Sequence, residues 1–122
     1  MTMVKLAALL APIYQTAAPI CDRGRIKLNF DLSDPSLSVD ANEKTLARQL
    51  KSLLKAAILR TPKDGSVTIG AHRRANTVEI FIRDTGSALS KSERAELAPD
   101  GTLSVHARHG YGNTITLHFP ES

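Results

Sequence analysis

Four basic residues fall at a spacing that places them together. Lys44, Arg48, Lys51 and Lys55 are separated by 4, 3 and 4 positions, so on a helix they share one face. Such a face can dock an acidic surface, a nucleotide phosphate or nucleic acid; more often it is a solvated surface behind an apolar stripe. Asp84-Thr85-Gly86 places a carboxylate before a glycine turn, which suits either a hydrogen-bond acceptor for a ligand or an aspartate that closes the end of a strand, the latter preferred. His72, Arg73 and Arg74 are clustered, as are His106, Arg108 and His109. If their hairpins adjoin, they form a basic edge, although charge on edge strands also serves to block aggregation. The four histidines show no metal-ligand spacing. Cys21 lies beside Asp22 with no identifiable activating base, so a small, partly buried residue is expected.

The whole chain bounds these readings. It has 122 residues, 42% of them hydrophobic and 23% charged. That suits one globular domain over 1–122 with a single core. Sixteen Lys and Arg against twelve Asp and Glu give +4, which permits an anionic partner without requiring one. Aromatics are 4% and Trp is absent, so single-strand nucleic-acid binding lacks stacking platforms and is not favoured. One cysteine excludes a disulfide framework. No segment reaches the ~20 apolar residues of a membrane span. Residues 5–14 only superficially resemble a secretory leader. A cytoplasmic protein is expected.

The elements that must position the candidates follow from periodicity. Leu6, Leu9, Leu10, Ile13, Ala17 and Ile20 form one apolar stripe, predicting a helix over 5–22 that Pro12 kinks or splits. Val4 belongs to a short edge strand. Ile26, Leu28 and Phe30 alternate in a strand over 25–31. Residues 32–39 read as a loop, and Asp40 with Glu43 as the cap of a helix over 41–60. Its apolar stripe is Leu46, Leu50, Leu53, Leu54, Ala57 and Ile58. Two hairpins follow, one turning at Ala75-Asn76, the other closing with Ile115, Leu117 and Phe119. Ser90 and Glu93 cap a short helix over 91–98 between them. This order predicts a two-layer α/β sandwich, a mostly antiparallel mixed sheet with helices on one face.

The order, with its local words, resembles the ATP-binding domain of sensor histidine kinases, which share the ATPase fold of gyrase, heat-shock chaperones and mismatch-repair ATPases. Residues 40–60 resemble the helix that carries the family's asparagine box. TPKDGSVTI at 61–69 is similar to the turn and strand after it, VEIFIRDTGSALS at 78–90 to the D-x-G-x-G box, and the closing hairpin to the family's last one. The resemblance implies a nucleotide cleft at Ser52, Ala56, Asp84 and Gly86. Ser52 and Ala56 stand at the two asparagine positions, so the route to magnesium through an amide oxygen is lost. Ala88 replaces the last glycine of the D-x-G-x-G box. The glycine-rich second box and the lid are absent from the short stretch 90–98, and no phosphoacceptor histidine word occurs. Lys55 stands where it could supply a charge in place of the metal.

These departures lead to the expectation of a degenerate domain that is not an enzyme and needs no cofactor. It is expected to be a regulatory or adaptor protein binding a protein partner in bacterial two-component signalling, a histidine kinase or a response regulator. The basic residues Lys44, Arg48, Lys51, Lys55, Arg73 and Arg74 are the anion or partner candidates. A nucleotide or cyclic-dinucleotide sensor using the remnant cleft, or a basic nucleic-acid-binding module, are the alternatives. Without the family's third helix, an apolar patch of several hundred Å² is expected to mark a homodimer or partner interface.

Overall fold

The computed structural model describes residues 2–93, 103–108 and 112–121, with backbone alone for 103–108. Strand β1 (Thr2–Lys5) leads into helix α1 (Leu6–Arg23). Then come β2 (Lys27–Leu32), β3 (Ser38–Ala41), helix α2 (Glu43–Arg60), β4 (Ser66–Arg74), β5 (Thr77–Asp84), β6 (Leu103–Arg108) and β7 (Gly112–Pro120). Five strands form one sheet in the order β2-β4-β5-β7-β6, and β1 pairs with β3 in a separate ribbon. β2 and β4 run parallel, joined through β3 and α2, and the other neighbours are antiparallel. The mixed α/β sandwich is therefore as expected.

Alternation along the strands sends one set of side chains under the helices. Val67, Ile69, Ala71, Val78, Ile80, Ile82, Ile115 and Leu117 are buried in one cluster with the stripes of α1 and α2. Burying each such aliphatic side chain is worth roughly 1.5–3 kcal/mol. Both helices thus lie on a single face of the sheet.

Local chemistry shifts several boundaries. Asp40 does not cap α2. Residues 38–41 pair with 2–5 instead, so segment 32–39 is partly strand and Asp40 lies within it. Asn42, the first residue past the ribbon, takes over the cap, and its side chain accepts from the Thr45 amide at 3.0 Å. Pro12 does not split α1, which continues through both Pro12 and Pro19. The two prolines are seven residues apart and exposed, as are Ala8 and Gln15. The carbonyls that lose a partner, four residues before each proline, therefore lie on the wet side of the helix. Ser90 Oγ accepts from the Glu93 amide and the Glu93 carboxylate from the Ser90 amide. This reciprocal capping box holds Glu93 below the usual carboxylate range through the Ser90 hydrogen bonds. Residues 91–93 are helical. The rest of that expected helix, and His109, lie outside the described residues.

The end of α1 is a Schellman motif, with Ile26 N–H donating to Cys21 O at 2.9 Å and Arg25 N–H to Asp22 O at 3.2 Å. Its left-handed position is filled by Arg25, φ 55°, rather than by the preceding Gly24. A non-glycine residue there costs ~1 kcal/mol. Arg25→Gly is therefore expected to raise stability by roughly 0.5–1 kcal/mol in urea titration, and a loss would contradict the strain.

Candidate functional site

Helix α2 carries two neighbouring lines of interest. Ser52, Ala56 and Arg60 recur every four residues, and Arg60 ends the line at Asp84. Its Nη2 donates to Asp84 Oδ2 at 2.8 Å. Asp84, 1% exposed, has its other oxygen filled as well: Oδ1 accepts from the Gly86 amide at 2.9 Å and from Asn113 Nδ2 at 3.0 Å. Asn113, opposite Asp84 in the β5–β7 register, also donates to Ser87 O and accepts from the Leu89 amide. It therefore ties down the whole loop 84–89. A nucleobase amine would have to reach the remaining lone pair of Oδ2 on a carboxylate that is buried and already holds three donors.

The helix end and loop touch without spare room. A Cβ on Gly86 would lie 2.6 Å from the Arg60 carbonyl oxygen, so only glycine allows that approach. Ser66 and Thr85 exchange hydrogen bonds, Ser66 N–H to Thr85 Oγ1 at 2.9 Å and Thr85 N–H to Ser66 O at 3.1 Å. Arg60 and Asn113 were not singled out from sequence. The four-residue continuation 52–56–60 pointed at Arg60. Asn113 became visible only once strand register was known.

The basic stripe takes a different place. Lys44, Arg48, Lys51 and Lys55 are all exposed, and among the described residues none makes an ion pair. Lys51 and Lys55 border a groove of about 280 Å³ between α1 and α2, walled by Ile13, Ala17, Leu54 and Ile58. Ile20 and Leu59 at this groove are 48% and 77% exposed. Lys55 thus stands beside α1, one residue round the helix from the Ala56 line that leads to Asp84.

Of the basic edge expected from sequence, only His72, Arg73 and Arg74 have described side chains, and the two arginines do not share a face. Arg73 and Arg74 are consecutive strand residues, so they face opposite sides of the sheet, and each already has an acidic partner. Arg73 Nε donates to both Glu121 oxygens at 2.9 and 3.0 Å, and its Nη1 reaches Asp34 at 3.2 Å. Arg74 lies 3.7 Å from Glu79. The Arg73 hydrogen bonds hold Glu121 below the usual carboxylate range, and the Ser36 hydroxyl and amide, then Arg73, do the same for Asp34. A depressed folded pKa stabilises the protein above the unfolded value, and that gain disappears as pH falls through the folded one. Arg73→Gln should therefore flatten the melting-temperature loss between about pH 5 and pH 3; an unchanged acid limb would contradict this. Cys21 is buried, and burial with neighbouring Asp22 raises its thiol pKa, which leaves it unreactive. No helix among the described residues is long and apolar enough to cross a membrane.

The architecture is that of a histidine-kinase catalytic domain. The catalytic domain of the histidine kinase ThkA superposes with a TM-score of 0.82 at 16% identity, over 98% of this chain and 95% of that one. ThkA in complex with the response regulator protein TrrA matches equally well, over 99% of this chain and 42% of that one. Relatives in sequence include histidine kinases. The adaptive-response sensory kinase SasA of Synechocystis sp. is 31% identical over 96 residues, covering 75% of this chain and 25% of SasA. Histidine protein kinase DivJ of Caulobacter vibrioides is 32% identical over 76 residues, covering 62% and 13%. No family model matches the chain. The chain spans a quarter or less of these curated relatives.

These findings overturn the expectation that the chain is not an enzyme. That expectation rested on Ser52, Ala56 and Ala88 and on the stretch 90–98. The proteins similar to it in sequence and fold include histidine kinases, and residues 94–98 of that stretch lie outside the described residues.

Proposed function

We propose that the chain works in two-component signalling by docking an acidic-edged amphipathic helix of a histidine kinase or response regulator into the groove between α1 and α2. The observation that carries this reading is the groove itself. Its walls are apolar, Ile20 and Leu59 stand out into solvent beside it, and Lys51 and Lys55 rim it in line with Arg48 and Lys44. A monomer gains nothing from a leucine 77% exposed, whereas covering it contributes up to about 2 kcal/mol to a complex. α1 and α2 each have 18 residues and run about 27 Å, long enough to seat several turns of a partner helix through i, i+3, i+4 and i+7 anchors. The lysines select acidic flanks and speed encounter at low salt.

The ThkA–TrrA complex supports a partner of this class, since its kinase shares the fold. A second copy of this chain is a poorer occupant, because two copies docked through α2 would face their basic stripes together. Titration against purified kinase dimerisation domains and receiver domains, at 50 and 300 mM salt, tests the proposal. Saturable binding to at least one, weakened at high salt, is expected. Absence of binding across the panel, or self-association in sedimentation, would refute it.

A further inference from the structure

The sheet face away from the helices carries a second group of side chains that neither the groove nor Asp84 uses. His72 on β4, Glu79 on β5 and His118 on β7 stand side by side in register. Glu79 has a side chain only 7% exposed, its Oε1 lying 3.2 Å from His72 Nε2 and 3.7 Å from Arg74 Nη1, its Oε2 3.4 Å from His118 Nδ1. One carboxylate thus faces three basic side chains, and a fourth basic group on this face stands apart from it.

Arg83 is that fourth group. It lies along β5 from Glu79, four residues on, in the same shallow groove of about 220 Å³. Its guanidinium carbon sits 5.1 Å from the centre of the Phe81 ring. Arg83 is exposed, and among the described residues no carboxylate is within ion-pair distance. The guanidinium fork of an exposed arginine matches two oxygens of a phosphate. Thr114, paired with Arg83 across β5–β7, brings a hydroxyl beside it. Asp31 on β2 belongs to the same face but is paired with Gly70 two strands away from β7, outside the groove.

We propose that this open sheet face binds a phosphate oxyanion, anchored by the Arg83 guanidinium and the Thr114 hydroxyl. The shared chemistry is the phosphate group, whether it is carried by a free nucleotide or by a phosphorylated side chain. Isotope-labelled full chain can be titrated with inorganic phosphate, AMP, O-phosphoserine and acetate at constant ionic strength, following the Arg83 Nε–Hε and Thr114 amide signals. Saturable shifts with phosphate, and at least a tenfold weaker affinity in a folded Arg83→Gln variant, are expected. Lys63→Gln, remote from the groove, should bind as the parent does. Tighter binding of AMP or of O-phosphoserine than of phosphate identifies the carrier. Shifts that fail to saturate, that acetate reproduces equally, or that survive Arg83→Gln overturn the site.

Discussion

Gly112→Ala is expected to destabilise the domain by more than about 3 kcal/mol, the largest effect of any single methyl group in the molecule. Gly112 has φ 84°, and a Cβ there would lie 1.9 Å from the Asp84 carbonyl oxygen and 2.9 Å from Thr85 Cα. Both the backbone conformation and the space exclude a side chain. The obstacle is backbone rather than a flexible side chain, so relief requires the end of β5 and the start of β7 to separate. Urea unfolding of the variant should show a much lower midpoint or no cooperative transition. A shift below 1 kcal/mol would mean that the strands part easily and that this description of the pairing is wrong.

Asp84→Ala follows closely, with an expected loss of about 3–5 kcal/mol, the usual cost of removing one partner from a buried charged network. The substitution strands three donors at once: the Arg60 guanidinium, the Gly86 amide and the Asn113 side chain. Arg60 is already at its limit, with Nε buried and no hydrogen-bond partner among the described residues. Its side chain is 16% exposed, which lets it turn partly to water and places the estimate toward the lower end. The double variant Arg60→Leu/Asp84→Leu should recover part of the loss, since no lone charge then remains inside. A double variant as unstable as the sum of its singles would show that the two side chains act independently.

How much of this was legible in the sequence differs from element to element. The leucine stripe of α2 and the two hairpins could be read directly, because burial on one face imposes a period that composition cannot hide. The β1–β3 ribbon could not, since it forms from four-residue segments more than thirty positions apart and is specified only by tertiary contact. Asp84 and the basic stripe were found by residue type and spacing. What each one touches depends on register, which placed Asn113 under Asp84, His72 and His118 either side of Glu79, and consecutive Arg73 and Arg74 on opposite faces. The inference from Ser52, Ala56, Ala88 and the short stretch 90–98 to absent enzymatic function went beyond its basis: departures from a family's words do not fix activity, and the relatives of the chain include histidine kinases.

The docking claim stands or falls on the α1–α2 groove. The decisive measurement is the affinity of the parent chain and of the folded double variant Ile20→Glu/Leu59→Glu for whichever kinase dimerisation or receiver domain the parent binds. Two carboxylates placed at an apolar contact lose its burial and repel an acidic-edged helix, so binding is predicted to weaken at least a hundredfold, about 2.7 kcal/mol. Equal affinity for parent and variant would contradict the groove as the docking surface.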